Sequence, residues 1–200
     1  MDAGRNQIIK GQYGVSENSE RQLLMFLKPL IAKGLNPVSC TVDGNPQAIK
    51  AMRTLWPEIV IQRCLVHIQR QGLMWCRRYP KTASVRKLRD IFLQVTYIRT
   101  KKERDKFLEL IIQWEQKYGQ YIRNQPEKGR VFSDIKRARS MLIKALPDMF
   151  HYLDEPDISF TTNGLESYFS RLKGHYRQHR GLRKNKLDGY FNWYFFYSPK

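Results

Sequence analysis

Acidic residues are scarce in this 200-residue chain, which has 18 Asp and Glu against 36 Lys and Arg. The formal net charge is +18, and so large an excess of one sign repels itself in a compact protein. A polyanion relieves that repulsion, and nucleic acid is the usual polyanionic partner. A ribosomal protein or a membrane-surface protein can carry the same excess, but we expect nucleic acid.

Long apolar runs and cysteines are scarce as well. No segment approaches the roughly 20 apolar residues of a membrane span, and the first residues lack the apolar run of a signal peptide. The cysteines Cys40, Cys64 and Cys76 form an odd set at irregular spacings, which favours reduced thiols over a disulfide framework. We therefore expect a cytoplasmic protein that does not bind membranes.

The order of the apolar patterns predicts the fold class. Segments 6–15, 37–43 and 58–66 have the β-prone composition of short strands, and helical patterns at 16–34 and 46–56 lie between them. Alternating strands and helices predict an α/β fold with parallel strands.

The middle of the chain has only helical periods. From residue 68 to residue 153 apolar residues recur at helical spacing, and we expect Phe107 and Trp114 to be buried between helices. The sequence therefore predicts an α/β part at 1–67, a helical block at 68–155 that interrupts or follows it, and C-terminal helices at 156–200.

Two of the few acids occupy positions where a functional carboxylate is expected. Asp43 follows the second predicted strand, and open α/β sheets carry functional groups at the carboxyl ends of strands. A carboxylate there can hold a divalent cation, but Asp-Gly is also a common turn pair, and spacing alone favours the turn. Glu166 has two interpretations too: it can point toward Asp43, or it can complete a capping box with Asn163.

A Cys-x-x-His pair follows the third predicted strand. Cys64 and His67 have the spacing of half a zinc site, and His175 and His179, four residues apart, would share a helix face. The alternative is that Cys64 is a small buried residue and His67 a hydrogen-bonding group, which we favour because structural zinc sites use more thiolates.

The ordered set TVDG, WPEIVIQRCLVHIQRQ, a long helical stretch, TTNGLESYFSRLK and HRGL resembles the Mutator-like DDE transposases of bacterial insertion sequences. The resemblance implies an RNase H-like core with an all-helical insertion between the second and third catalytic acids. It assigns the second acid to Asp43 and the third to Glu166, both as metal ligands. Cys64 and His67 match the C-x-x-H signature, which would support the fold or the DNA path.

The resemblance also implies a reaction and its partners. Two Mg²⁺ (or Mn²⁺) ions would serve phosphodiester hydrolysis and transesterification on DNA, at element terminal repeats and at target DNA, in a nucleoid-associated homo-oligomer. The first acid would lie upstream of segment 6–15. We therefore expect a chain truncated at its N-terminus, with an incomplete RNase H-like core and no activity alone. Two alternatives remain open: a non-catalytic DNA-binding protein derived from a transposase, and a zinc-stabilised RNA-binding module.

The densest basic stretch is RLKGHYRQHRGLRKNK, residues 171–186. Basic side chains bind DNA phosphates without reading the sequence, and Tyr176 could stack on an unpaired base. The alternative is a solvated helix face, which must account for some of these residues. The predicted phosphate contacts are Arg171, Lys173, Arg177, Arg180, Arg183 and Lys184.

Overall fold

The structure is a computed structural model that describes residues 1–5, 7–125, 130–179 and 181–197. Helix accounts for 65% of the described residues, and the sheet is a small parallel pair of strands. The chain divides into two compact units: unit 1 contains Met1–Ile61 and Thr162–Lys200, and unit 2 contains Gln62–Thr161. The mostly helical content is consistent with an α/β class that is dominated by its helices.

The regular elements follow one another along the chain with short connections. They are α1 (Glu20–Ile31), β1 (Ser39–Val42), α2 (Pro46–Leu55), β2 (Val60–Arg63), α3 (Leu65–Cys76), α4 (Ala83–Gln94), α5 (Lys101–Trp114), α6 (Gln120–Asn124), α7 (Arg130–Ala145), α8 (Asn163–Gln178) and α9 (Leu187–Tyr197). A π-helical segment, Glu115–Gly119, joins α5 to α6. In the described ranges no helix is long and apolar enough to cross a membrane.

The predicted strand at 6–15 is wrong. In the described part of this segment only an isolated antiparallel bridge forms, between Asp2 and Gln7. The rest is irregular backbone held by side-chain contacts: Lys10 donates to the Phe26 carbonyl at 2.6 Å, and the Tyr13 ring stacks on Phe191 at 4.7 Å. β-prone composition alone cannot make a strand, because a strand needs a partner edge to satisfy its backbone groups.

The strand–helix–strand unit at 37–66 forms, with a shorter second strand. β1 and β2 pair, and the predicted helix between them is α2. The predicted strand at 58–66 ends at Arg63, because Leu65 already begins α3 and its N–H donates to the Phe160 carbonyl at 2.9 Å. The apolar run at 58–66 thus contains both the end of β2 and the start of α3. Composition cannot locate the boundary between them.

The core of unit 1 lies between α1, α2 and the sheet. Trp56 anchors it, and its indole N–H donates to the Leu35 carbonyl at 3.2 Å. Ile59 and Ile61 are buried beside Trp56. Partly buried side chains surround these three: Leu27, Leu35, Cys40, Val42, Ile49, Met52 and Leu55.

The α8–α9 pair of unit 1 is held by aromatic rings. Tyr168 of α8 lies 6.1 Å from Tyr194 and 6.4 Å from Phe195, and it is 5% exposed. The sequence pattern predicts Phe169 on the buried face, but Phe169 is 41% exposed. The correction concerns this position alone, because Leu172 of the same predicted face is buried and Tyr168 takes the place predicted for Phe169.

Unit 2 confirms the prediction of helical structure from residue 68 to 153. Among its described residues no strand occurs after Arg63, and both Phe107 and Trp114 are buried. The Trp114 indole donates to the Ser84 carbonyl at 2.8 Å, which ties α5 to the start of α4. The 3.6-residue apolar period was therefore a reliable guide here.

A buried amide fastens the start of unit 2 to its end. The Gln62 side-chain amide donates to the carbonyls of Arg63 and Met149, each at 2.8 Å. Its oxygen accepts from the Tyr152 backbone N–H at 3.3 Å. A buried amide is costly unless it is hydrogen-bonded, so these bonds explain how Gln62 can be fully buried.

The π-helical segment makes room for an ion-pair cluster. The Glu115 carboxylate binds the Arg139 guanidinium and also accepts from Arg123 at 2.8 Å. A Cβ on Gly119 would overlap this carboxylate. The hydrogen bond from Arg139 holds the pKa of Glu115 below its ordinary value. Gly119 therefore lets Glu115 join α5 to α7 across the π-helical turn.

We expect two glycine-to-alanine changes in helices to have opposite effects on stability. Gly72→Ala in α3 should destabilise by about 1–3 kcal/mol, the usual cost of overpacking, because its Cβ would overlap the Phe92 ring. Gly174→Ala in α8 meets open space and should stabilise by about 0.5–1 kcal/mol through helix propensity. Urea unfolding followed by circular dichroism measures both, and equal shifts would contradict the predicted contact.

Candidate functional site

Asp43 lies directly after β1, where the chain turns into α2. Its side chain is exposed, and Oδ1 accepts from the Asn45 N–H at 3.0 Å. Gly44 has a φ of +102°, a backbone conformation that other residues adopt only with strain. Asn45 then caps α2 by accepting from the N–H groups of Gln47 and Ala48. The turn interpretation and the strand-end interpretation thus describe one geometry, since the turn presents the carboxylate at the end of the strand.

Glu166 lies in the first turn of α8 and is half-buried. The predicted capping box is wrong: the N-cap is Thr162, one residue before Asn163, and Thr162 makes no capping hydrogen bond with its side chain. Glu166 is therefore one position too far along the helix for the box. The Thr162 hydroxyl instead donates to Glu166 Oε1 over a long 3.4 Å, and a carboxylate in the first turn suits the helix dipole.

Both predicted acids belong to unit 1. Carboxylate oxygens are the ligands that Mg²⁺ prefers, so the donor chemistry of Asp43 and Glu166 fits a hard divalent cation. Within the described ranges, however, no group of three or more His, Cys, Asp and Glu side chains could hold a metal ion. That the two carboxylates share one metal site stays a prediction.

Cys64 and His67 occupy the start of α3. Cys64 is the N-cap residue and is fully buried, as the interpretation of a small buried residue predicts. His175 of α8 and His179, the C-cap residue after it, are exposed, and their rings tilt against Tyr194 and Tyr190. The described residues contain no cluster of three metal-ligating groups, so the zinc alternative finds no support.

The cysteines are free thiols, as composition predicts. Burial raises the pKa of Cys76 to about 12 and also raises the pKa of Cys40. A thiol with a raised pKa stays protonated at neutral pH, and the thiolate is the reactive form. Neither of these two cysteines is therefore poised as a nucleophile.

The described cations of the basic stretch at 171–186 are exposed to solvent. Arg171 donates to Ser167 Oγ at 3.1 Å, and Arg180 lies outside the described residues. The other four predicted phosphate contacts make no ion pair with any acid that the structure describes: Lys173, Arg177, Arg183 and Lys184. The stretch is therefore a solvated face, as one interpretation holds, and its cations face the solvent from which a polyanion would approach.

The stacking role of Tyr176 stays a prediction. Its ring is half-buried and packs against Tyr190 at 5.9 Å and Phe191 at 5.3 Å. The exposed rings lie instead on α9, at Trp193, Phe196 and Tyr197. The sequence pattern missed them because α9 is aromatic on all sides, so no periodicity separates an inner from an outer face.

A strongly basic chain with a small parallel strand pair, an exposed strand-end carboxylate and a separate helical unit has the composition of a protein that acts on nucleic acid. The family model for the Mutator family of transposases matches residues 1–144. The chain belongs to this family, because the match covers more than half of its length. Transposition, DNA recombination and DNA binding in general follow from that membership.

The family match includes some predicted site residues and leaves others out. Asp43, Cys64 and His67 lie inside residues 1–144, whereas Glu166 and the basic stretch lie beyond them. Comparisons with curated proteins and with solved structures found no match. The assignment of Glu166 therefore depends on the sequence resemblance and on its position in α8.

We expect the basic stretch to set the salt dependence of DNA binding. Each lost phosphate contact lowers the slope of log affinity against log salt by about 1. Replacing Arg177 and Arg183 with Ala should therefore lower it by about 2, measured by fluorescence anisotropy on duplex DNA.

A matched control removes the same charge elsewhere. Lys50 is paired with Glu20 at 2.7 Å and Lys101 with Asp154 at 2.6 Å. Replacing both lysines with Ala removes two positive charges, as the Arg177/Arg183 variant does. It also leaves Glu20 and Asp154 without these ion-pair partners. A slope that falls equally in the control and in the Arg177/Arg183 variant would show that net charge, and not this stretch, governs binding.

Proposed function

We propose that this chain contributes Asp43 and Glu166 to a DDE-type transposase centre that cuts and joins DNA at element ends. In this proposal the residues of unit 1 form part of an RNase H-like core, and unit 2 is the helical insertion between the second and third acids. The observation that carries the proposal is the exposed Asp43 carboxylate at the end of β1, inside the segment that matches the family.

The chain's own residues would hold and shape the centre. Asp43 and Glu166 supply oxygen ligands; Gly44 allows the tight turn after the strand, and Asn45 fixes that turn by capping α2. Two Mg²⁺ or Mn²⁺ ions, when bound, supply activation of the attacking water or 3′-hydroxyl and stabilisation of the leaving oxygen. No covalent intermediate with the protein is needed, so the buried thiols have no role as nucleophiles.

DNA would reach the centre along basic surface. Glu166 and the cations of the basic stretch lie on one continuous segment of the chain, which consists of α8 and the residues that follow it. Arg171, Lys173 and Arg177 would bind phosphates on α8, and Arg183 and Lys184 would bind them just beyond it. The substrates would be the element terminal repeats and a target DNA, brought together by a homo-oligomer.

Iron-directed cleavage tests whether the two acids share one metal site. Fe²⁺ in place of Mg²⁺, with ascorbate and peroxide, generates hydroxyl radicals that cut the backbone close to the metal. We expect cuts near residue 43 and near residue 166, mapped by mass spectrometry, and competition by Mg²⁺. Asp43→Asn should remove the cuts at both positions, because both depend on one bound ion.

The control for this experiment is an acid of unit 1 outside the proposed site. Glu17 is exposed, and Glu17→Gln should leave both cuts in place. Cleavage near only one of the two residues, or loss at residue 43 with cleavage at 166 retained, would mean that the carboxylates do not share a metal.

One observation favours a second function, that of a non-catalytic DNA-binding protein. The resemblance assigns only two of the three catalytic acids to this chain, and no three-acid group occurs among the described residues. Asp2 is an acid near the chain start, and its Oδ1 accepts from the Arg5 N–H at 3.1 Å, in a local turn.

The two functions predict different results with supercoiled DNA. We expect no nicking by the 200-residue chain in Mg²⁺ or Mn²⁺, because the resemblance assigns it only two of the three catalytic acids. Metal catalysis supplies several kcal/mol, and each ~1.4 kcal/mol that is lost slows the reaction tenfold. A time course should give the same result for the chain and for its Asp43→Ala and Asp2→Ala variants. Nicking that Asp43→Ala abolishes would show that two assigned acids suffice.

A further inference from the structure

Helix α9 has two aromatic faces, and only one of them packs against other residues that the structure describes. Its inner face carries Tyr190, Phe191, Tyr194 and Phe195, which contact α8 and the irregular segment at 7–15. The outer face, defined here as Gly189, Asn192, Trp193, Phe196 and Tyr197, lines a shallow open depression. A helix that is apolar all round is normally buried, so the outer face calls for an explanation.

The outer face is exposed to an unusual degree for large rings. Trp193 is 62%, Phe196 75% and Tyr197 66% exposed. The Trp193 and Tyr197 rings stack on each other, with centroids 5.0 Å apart and planes at 4°. Exposed apolar patches of this kind mark interaction sites. Phe196 packs edge-to-face with Tyr197 at 4.8 Å, and the exposed stacked pair forms a platform for a third flat group.

The charges that precede α9 in the chain are positive. Arg183, Lys184 and Lys186 are exposed and immediately precede α9. Asp188 is the acid nearest to them in the sequence, and its Oδ2 accepts from the Asn192 amide at 3.3 Å. Trp193 lies about 9 Å along the helix axis from Leu187 at the usual rise per residue, a distance that a few nucleotides span.

We propose that the outer face of α9 binds unpaired bases of single-stranded DNA by stacking on Trp193 and Tyr197. The basic segment before α9 would hold the phosphates of the same strand, which is how proteins combine cations and aromatic rings on single strands. A protein partner or a second copy would also cover apolar surface, but the three adjacent cations favour a polyanion. The inference rests on DNA as the partner of the family and is independent of the metal chemistry.

The intrinsic fluorescence of the protein reports on this site. Of the four tryptophans, Trp56 and Trp114 are buried, Trp75 is half-buried and Trp193 is exposed. A 20-nucleotide oligothymidylate, titrated in EDTA, should quench the exposed tryptophan. Blunt duplex DNA, which offers no unpaired bases along its length, should quench it much less.

Two substitutions at one position separate stacking from simple apolar contact. Trp193→Phe keeps a flat ring and should retain single-strand affinity within a few-fold. Trp193→Leu keeps apolar surface without a ring and should weaken single-strand binding about 5- to 150-fold, since stacking contributes about 1–3 kcal/mol per base. Tyr97→Leu, at an exposed ring of unit 2, is the control. It should change neither the affinity for single strands nor the affinity for duplex DNA.

The same measurements can overturn the proposal. It fails if Trp193→Leu binds oligothymidylate as tightly as the parent protein, or if it loses duplex and single-strand affinity equally. It also fails if that variant changes the sedimentation of the free protein while single-strand binding is kept, which would assign the face to a second copy. If Trp193→Leu does not fold, the titration of the parent protein still tests the proposal. A parent protein whose fluorescence oligothymidylate does not quench would contradict it.

Discussion

The close approach of an aromatic ring to a glycine is the contact on which the packing of each unit depends. In unit 2 the Phe92 ring lies against Gly72, and in unit 1 the Phe195 ring lies against Gly11. In both places a Cβ would occupy the space of the ring. Such contacts bring an aromatic ring directly onto the backbone, where many weak dispersion contacts add up. α4 can therefore lie close to α3, and α9 can lie close to the irregular segment near the chain start.

Charge governs what this packing leaves outside. Cations outnumber acids two to one, and several acids are already engaged: Glu115 binds Arg139, Glu20 binds Lys50, and Asp154 binds Lys101. Four cations of the basic stretch form no ion pair with an acid that the structure describes: Lys173, Arg177, Arg183 and Lys184. An exposed ion pair contributes little to stability, so these unpaired cations cost the fold little and remain available to a polyanion. The family's substrate, DNA, meets that requirement.

Part of the site could be read from the sequence because local rules define it. In the sequence Asp43 follows an apolar, β-prone run and precedes a glycine. In the structure it lies at a strand end, and Gly44 adopts a left-handed conformation. The burial of Cys64 followed from its residue type. The capping box at Glu166 failed because the helix starts one residue earlier than the Asn suggested, and helix ends are decided by tertiary contacts as much as by capping residues.

The sequence by itself determined the charge, the helical character of unit 2 and the strand-end position of Asp43. These depend on composition and on short-range periodicity, which the chain carries wherever it folds. Only the tertiary structure decided that segment 7–15 is not a strand, that Tyr168 and not Phe169 is buried, and which face of α9 meets solvent. In the two helices, neighbouring residues were equally apolar, and segment 7–15 found no partner edge. Long-range packing, with its requirement for a partner edge or a matching surface, then made the choice.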